Sequence, residues 1–232
     1  MDQPPEKKSL LKSFPSTYWV VIVMEFFERS AFYGMMAMLA DYFVENVGST
    51  EQWGLMRTVL FVILYLVPIF SGALAEKVGY KKILGVAFLF MLLAYLGVGG
   101  NKTFPVFFGF MVVLGLGGGL FKPVISGTIA RSTDKSNSTM GFGIYYWSIN
   151  VGSFLTSLVA SQLYDRKSFF MIFALSGVYV GLMFFNNIFC YREPDKPGKI
   201  KTAGDVFKGV GIVFMNWRFI LLLLVFLFGV FY

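Results

Sequence analysis

The stretch TYWVVIVMEFFERSAFYGMMAMLADYFV (residues 17–44) reads as a helix that crosses a lipid bilayer, because it exceeds the ~20 predominantly apolar residues that a span needs. Its first half nevertheless carries Glu25, Glu28 and Arg29. A charge at the centre of a membrane helix costs roughly 2.5–3.5 kcal/mol. Three such charges therefore require buried partners, a function, or both.

The composition of the whole chain agrees with a membrane protein. Of 232 residues, 56% are hydrophobic and 14% charged, whereas soluble domains carry about 25% charged residues. The net charge of +7 is spread over short loops, which argues against a nucleic-acid partner. The chain has no His and a single Cys, Cys190, which removes zinc chemistry, Cys-His catalysis and an internal disulfide. We expect no metal, no cofactor and no enzyme activity.

Hydropathy predicts an all-α integral membrane protein. Six apolar segments of sufficient length lie at 17–44, 53–75, 83–99, 104–129, 141–163 and 168–190, and a seventh begins near 209.

The only polar stretch long enough to separate domains is YREPDKPGKIKTAGDVFKG, which begins at Tyr191. The predicted organisation is an N-terminal segment, a six-helix bundle, a linker and an incomplete seventh helix, at 1–16, 17–191, 192–208 and 209–232 respectively.

The distribution of Lys and Arg predicts that the N-terminus is cytoplasmic. With this orientation the inner segments hold thirteen basic residues and the outer ones hold four, as the positive-inside rule requires. The outer four are Arg57, Lys102, Arg166 and Lys167.

Depth along the helices predicts a partner for the charges of helix 1. Glu25 lies about 10 Å and Arg29 about 17 Å from the cytoplasmic side, and Lys122 on helix 4 lies about 10 Å from the same side. A cluster of Glu25, Glu28, Arg29 and Lys122 is formally neutral. It fits a structural lock between helices, and it equally fits a proton- or substrate-coupling site.

The two charged helices head the two halves of the six-helix unit. In transporters built from 3+3 inverted repeats, equivalent helices of the two repeats surround the midplane site. Helices 1 and 4 are such a pair, which favours the coupling interpretation.

Helix 4 also contains GLGGGLF, which superficially resembles a nucleotide-binding loop but lies inside a membrane span, so we reject that reading. Gly118 and Gly119 predict close helix packing, and Pro123 predicts a bend beside Lys122 that is either architectural or part of a gate. Taken alone, Tyr65 on helix 2 and Asn150 on helix 5 are better explained by packing than by ligand binding.

Four motifs give the chain a resemblance to known proteins. GALAEKVGYKK (72–82) resembles the cytoplasmic loop signature of the major facilitator superfamily, with Glu76 where Asp is usual. EFFER with the following SAFYG (25–34), GGLFKPVIS (118–126) and FGIYYWSINVGSF (142–154) resemble, in order, the helix 1, 4 and 5 motifs of the proton-coupled oligopeptide transporters. The resemblance implies the N-terminal six-helix bundle of a major facilitator fold.

The resemblance also implies roles for single residues. Glu25 and Glu28 would be the proton-responsive carboxylates with Arg29 as partner, and Lys122 would alternate between a helix 1 glutamate and the carboxylate of a di- or tripeptide. The remaining implied residues are Tyr33, Tyr65 and Asn150 as peptide contacts, and Gly72, Glu76, Lys77, Gly79, Lys81 and Lys82 in the loop motif.

The sequence departs from that family at three positions of helix 1. The family usually has Arg where this chain has Met36, Phe where it has Ser30, and Tyr where it has Phe32. Without the arginine, Lys122 is the only obvious cation for a peptide carboxylate, so peptide selectivity is in question.

The length of the chain leads to two hypotheses. Superfamily members have twelve or more helices, and the second half reads the peptide amino group. The chain is therefore expected to be the N-terminal half of a proton-driven peptide symporter in the inner or plasma membrane, needing a C-terminal half from a second chain or a second copy. The alternative is a non-transporting membrane subunit whose charge cluster is only structural.

Overall fold

The computed structural model describes residues 10–165 and 169–194, and beyond them residues 204, 208, 212, 215–218, 220 and 221. Within that part of the chain a short 3-10 helix, Leu10–Ser13, precedes six long α-helices. These are α1 (Ser16–Asn46), α2 (Thr50–Val78), α3 (Tyr80–Gly100), α4 (Phe104–Arg131), α5 (Ser138–Asp165) and α6 (Phe169–Phe189).

The helices are long enough to cross a membrane. The shortest, α3 and α6, have 21 residues, or about 32 Å at 1.5 Å per residue. Four helices, α2, α3, α4 and α6, are also apolar enough to be spans by composition. The other two carry the polar residues: α1 the three charges, and α5 a series of Ser and Thr. The prediction of an all-α integral membrane fold is confirmed.

Helix ends follow from local sequence. Ser49 and Gln52 form a reciprocal capping box at the start of α2, in which each side chain bonds the other residue's backbone N–H. At the other end of α2, Gly79 has φ 112°, a backbone conformation that glycine adopts readily and other residues rarely adopt. Its N–H donates to Ala75 O at 2.9 Å. One glycine therefore ends α2 and allows α3 to begin at once.

The packing of the helices contains an internal repeat. The extensive interfaces are α3 with α4, α1 with α5, α2 with α4, α3 with α6, and α1 with α6, whereas α1 and α4 meet only slightly. Exchanging α1 with α4, α2 with α5 and α3 with α6 returns the same set of interfaces. This is the packing expected of two three-helix repeats.

Glycines allow α4 to approach two helices at once. A Cβ on Gly119 would lie 2.6 Å from Val67 Cβ on α2, and one on Gly118 would lie 2.7 Å from Leu64 Cδ2. On the opposite side, a Cβ on Gly117 would lie 2.9 Å from the Ala87 carbonyl oxygen of α3. The glycine run of α4 therefore serves helix packing.

Serine side chains join neighbouring helices through backbone carbonyls. Pro123 has no N–H, so the carbonyl of Gly119 loses its partner inside α4, and Ser71 Oγ of α2 donates to that oxygen at 2.9 Å. Ser30 Oγ of α1 likewise donates to Gly152 O of α5 at 3.2 Å, and Ser176 Oγ of α6 to Ala31 O of α1 at 3.0 Å. Each bond satisfies a polar pair inside the bundle.

The first five helices extend beyond the predicted apolar segments by up to three residues, most at both ends of α2, where α3 begins and where α5 begins, whereas α6 lies within the predicted 168–190. The linker beyond Pro194 and the seventh helix expected from 209 lie outside the described residues, apart from the isolated positions given above.

Candidate functional site

A buried ion-pair cluster lies in the middle of α1. Glu25, Glu28 and Arg29 are 1%, 2% and 7% exposed. Arg29 Nε lies 3.3 Å from Glu25 Oε1, one helical turn earlier. Arg29 also pairs with Glu28, to which Nε donates and with which Nη2 forms the second contact. One guanidinium therefore joins two carboxylates, and the three groups carry one net negative charge when all are ionised.

One carboxylate oxygen of the cluster is unpaired. Glu25 Oε2 is buried and has no hydrogen-bond partner among the described residues. The Tyr145 hydroxyl of α5 lies close enough to Glu25 to act on its carboxylate. Glu25 thus has one oxygen paired with Arg29 and a second oxygen that can take up a proton without displacing a hydrogen-bond donor.

Lys122 of α4 lies near the cluster but not in an ion pair. The charges of Arg29, Glu28 and Glu25 all act on it. Within the described ranges, however, no carboxylate oxygen comes within 4.0 Å of Lys122 Nζ. The ammonium instead lies 5.8 Å from the centroid of the Tyr65 ring of α2, at cation–π distance. A direct bond between Lys122 and a helix 1 glutamate stays a prediction.

Two aromatic rings flank the guanidinium of Arg29. Its Cζ lies 5.5 Å from the centroid of Phe32 and 5.8 Å from that of Tyr33. Phe32 is buried, whereas Tyr33 is 40% exposed. The ring of Tyr33 therefore contacts the buried cluster on one side and is exposed on the other, on the face of the bundle that also exposes Tyr65 and Asn150 (the open face). Met36, which replaces an arginine of the resembled family, is half-buried against the core and offers no charge.

The predicted peptide contacts are only partly brought together. Tyr65 and Asn150 are both exposed, Tyr65 at 69%, and Tyr65 meets Lys122 as described. Asn150 Nδ2 donates to the Tyr146 carbonyl of its own helix at 2.8 Å. No contact of Asn150 with Lys122 or Tyr65 occurs in the described part of the chain.

Three residues that the sequence analysis did not assign surround the site. Tyr145 of α5 lies beside Glu25, and the fully buried Tyr95 of α3 lies within electrostatic range of Glu28. Ser30, adjacent to Arg29, fixes α1 to α5 through Gly152. The position of Tyr145 in the YYW sequence at the start of α5 could have indicated that its ring faces the protein. No residue next to Tyr95 in the sequence indicates that this tyrosine lies near Glu28.

An open groove of about 710 Å³ runs along α2 beside Tyr65. The Cζ of Arg57 lies 5.8 Å from the centroid of Phe61, and Phe61 stacks on Tyr65 with 6.4 Å between centroids and 23° between ring planes. The described residues that line the groove are Gly54, Arg57, Thr58, Phe61, Val62, Tyr65 and Leu66.

The loop motif between α2 and α3 forms a second polar network, at the end of the bundle where α1 begins. Glu76 Oε1 pairs with Arg131 Nη2 at 3.3 Å, and the Arg131 guanidinium lies 4.4 Å from the Tyr80 ring centroid.

The start of α3 and the end of α6 cap one another in this network. Lys81 Nζ donates to the carbonyls of Ile188 and Tyr191 at 2.9 and 3.2 Å. In return, Tyr80 N donates to Glu193 Oε1 at 2.8 Å. A positive side chain thus closes a helix C-terminus and a negative one closes a helix N-terminus, as the helix dipoles favour. Lys77 and Lys82 are exposed.

No described part of the chain brings three His, Cys, Asp or Glu side chains together as metal ligands would require.

A family model and the sequences of known proteins both relate the chain to membrane transporters. The family model of the Major Facilitator Superfamily matches residues 18–232. The chain is 29% identical over 216 residues to dipeptide and tripeptide permease A of Klebsiella pneumoniae, covering 90% of this chain and 43% of that protein. It is 27% identical over 199 residues to the permease of the same name from Escherichia coli K12, covering 82% of this chain and 40% of that protein.

Solved structures show the same fold. The crystal structure of peptide transporter POT in complex with sulfate superposes with a TM-score of 0.71 at 24% identity, over 93% of this chain and 46% of that one. That of tetrameric PepTSo2 gives 0.72 at 18% identity, over 93% and 52%. The chain thus spans about two fifths to one half of the length of the proteins it matches.

Proposed function

Because the chain belongs to the Major Facilitator Superfamily, we propose that it takes part in the proton-coupled symport of di- and tripeptides across the membrane. The observation that carries this proposal is the buried Glu25–Arg29–Glu28 cluster with Lys122 at its side. The names of the relatives, dipeptide and tripeptide permeases, support the substrate class. The relatives are permeases, which supports transport rather than an enzyme reaction as the role of the chain.

The coupling step begins at Glu25. Its Oε2 has no hydrogen-bond partner among the described residues, so a proton can be added there without displacing a donor, and the ion pair with Arg29 becomes a hydrogen bond to a neutral carboxyl group. Protonation neutralises one of the two carboxylates that act on Lys122, and Arg29 stays bound to Glu28. The ammonium of Lys122 is then less attracted to α1 and holds the carboxylate of a peptide. In a cavity of low dielectric that charge pair is stronger than in water.

The peptide lies against the open face of the bundle. Tyr65 beside Lys122 and Tyr33 beside Arg29 present exposed rings to it, and Asn150 presents its amide oxygen from α5. With Met36 in place of a cation, Lys122 alone holds the terminal carboxylate.

A second six-helix half completes the transporter. The chain spans 43% of the Klebsiella pneumoniae permease, and groups on the remaining half, in the same or another chain, bind the peptide amino group. The chain lies in the inner or plasma membrane with residues 1–16 and the linker 192–208 in the cytoplasm, since the inner segments carry most of the basic residues.

One observation favours a second candidate, a non-transporting subunit with a structural charge cluster. Both ion pairs of Arg29 are formed within α1, and Lys122 makes none with described carboxylates. A cluster satisfied within a single helix needs no transport cycle to explain its burial.

The test is uptake of labelled dialanine by proteoliposomes that hold the full protein carrying this chain. Lys122→Ala is expected to lower uptake about 10- to 150-fold, the value of a charge-assisted bond of 1.5–3 kcal/mol. Glu25→Gln is expected to abolish accumulation driven by a proton gradient and to keep exchange of peptide for peptide. The glutamine keeps the shape of the carboxyl group but cannot cycle a proton.

Two variants serve as matched controls. Glu45→Gln changes an exposed carboxylate of the same helix, and Lys135→Ala an exposed lysine of the α4–α5 loop; both are expected to keep gradient-driven uptake within twofold. Retention of proton-driven accumulation by both Lys122→Ala and Glu25→Gln would overturn the coupling role and favour the structural cluster.

A further inference from the structure

The groove on α2 is built by one continuous helix face. Its lining residues recur at intervals of three and four, from Gly54 to Leu66, which places them in one stripe. The volume of about 710 Å³ lies within the roughly 300–1,000 Å³ typical of sites for small molecules. Tyr65 ends the ring stack of this stripe next to Lys122, so the groove is continuous with the proposed peptide site.

Arg57 is the feature of this groove that the proposed function does not use. It is exposed and, in the part of the chain that the structure describes, no carboxylate pairs with it. Its guanidinium lies over Phe61, Phe61 stacks on Tyr65, and Lys122 lies over Tyr65. Two aromatic rings therefore lie between two cations: Arg57, which lines the groove, and Lys122, which meets the groove only through the ring of Tyr65.

The distance along α2 from Arg57 to Tyr65, the residue beside Lys122, fits a second anionic group on the substrate. Arg57 precedes Tyr65 by eight residues, about 12 Å along the helix axis. The backbone of an extended dipeptide spans about 7 Å, and an acidic side chain on its first residue reaches further. With the terminal carboxylate at Lys122, such a side chain extends along the rings towards Arg57. A planar guanidinium binds a carboxylate through two parallel hydrogen bonds, which an ammonium does not.

We propose that Arg57 and Phe61 form a side-chain subsite that favours peptides whose first residue is acidic. This inference rests on the proposed peptide transport and adds a specificity to it. Arg57 acts on the side chain, whereas Lys122 acts on the terminal carboxylate that every peptide shares.

The test compares two peptides that differ in charge and hardly in shape, Glu-Ala and Gln-Ala. Each competes against uptake of labelled dialanine by proteoliposomes of the full protein carrying this chain. With the unaltered protein, Glu-Ala is expected to compete about tenfold better than Gln-Ala, as for one charge-assisted hydrogen bond. In Arg57→Gln that ratio is expected to fall to about one, with dialanine uptake unchanged within twofold.

Two further variants test whether the preference depends on the guanidinium shape of Arg57 and on its position in the groove, or on positive charge alone. Arg57→Lys keeps the charge and loses the paired hydrogen bonds, so part of the preference is expected to remain. Lys102→Gln removes an exposed cation at the same end of the bundle, outside the groove, where Lys102 bonds Asn46. It is expected to leave the preference intact.

Each outcome bears on one claim. Equal competition by Glu-Ala and Gln-Ala in a protein that transports dialanine overturns the subsite and leaves peptide transport standing. An equal loss of all three peptides in Arg57→Gln overturns it as well, because it indicates a general role of Arg57. Absence of any dipeptide uptake by the unaltered protein overturns the proposed function, and the subsite with it.

Discussion

Ser30 shows how one side chain can tighten a helix contact beside a charge cluster. It is 1% exposed, adjoins Arg29, and donates from Oγ to the Gly152 carbonyl of α5 at 3.2 Å. The approach is close because position 152 has no side chain: a Cβ there would lie 2.7 Å from the Phe26 carbonyl oxygen and 3.2 Å from Ser30 Oγ. A small residue at position 30 and a glycine at position 152 together allow α1 and α5 to approach this closely.

Replacing Ser30 is expected to destabilise the bundle by two different mechanisms. Ser30→Ala loses one interhelical hydrogen bond, about 0.6–1 kcal/mol in the free energy of unfolding. Ser30→Phe forces a ring into the α1–α5 contact and costs about 1–3 kcal/mol. Thermal unfolding in detergent measures both. Ser153→Ala is the control, because among the described residues Ser153 Oγ bonds to Asn150 O of its own helix and to no other helix. Equal stability of Ser30→Phe and the unaltered protein would contradict the close contact.

For single residues, the sequence predicts the ion pair within α1 better than the contacts that α1 makes with residues of other helices. The i,i+4 spacing of Glu25 and Arg29 is sufficient to predict their ion pair, because the spacing sets both height and direction on one helix. Depth along two helices gave Lys122 the right height. It could not give its direction around α4, which depends on tertiary packing, and Lys122 lies over Tyr65.

Among the helices, α4 shows how a run of glycines is divided between two neighbours. Gly118 and Gly119 admit α2, and Gly117 admits α3. The hydropathy pattern predicts that α4 spans the membrane and that its glycines allow close packing. It does not predict which neighbour each glycine meets, since this depends on the rotation of α4 about its axis.

Gly119→Ala is expected to reduce stability, and Gly109→Ala on the same helix is not. The new methyl group at 119 would lie 2.6 Å from Val67 Cβ, so α2 and α4 must separate or strain, at about 1–3 kcal/mol. At 109 no atom lies within 4 Å, and alanine is favoured over glycine by up to about 1 kcal/mol in a helix. Unfolding of the two variants in detergent gives the comparison. A Gly119→Ala protein as stable as Gly109→Ala would contradict the described packing.

At the scale of the whole molecule, all five extensive interfaces run between the two repeats, and the one between the equivalent helices α3 and α6 carries the reciprocal caps. Lys81 closes the end of α6, and Glu193 closes the start of α3. The predicted apolar segments stopped short of this contact: α3 begins at Tyr80 rather than at 83, and α2 ends at Val78 rather than at 75. Polar residues continue α3 towards its start because Glu193, distant in the chain, caps it there, which local hydropathy cannot indicate.

Lys81→Met is expected to destabilise the bundle more than Lys82→Met. The first removes two hydrogen bonds to carbonyls at the end of α6 and a charge favourable to its dipole, about 1–2 kcal/mol. The second removes an exposed lysine for which no described hydrogen bond exists, within about 0.5 kcal/mol. Chemical unfolding in detergent micelles measures the difference. Equal effects of the two substitutions would show that the reciprocal caps contribute nothing.

The bond from Ser71 to the carbonyl that Pro123 leaves free has a mechanical consequence. If α4 straightened or bent further at the proline while α2 stayed in place, the Gly119 oxygen would lose its donor inside the bilayer, where an unsatisfied carbonyl costs several kcal/mol. Separate movement of the two helices is therefore penalised at this point. We therefore expect Pro123 to act as a fixed joint rather than as a hinge, so that α2 and α4 would turn together and carry Tyr65 and Lys122 with them.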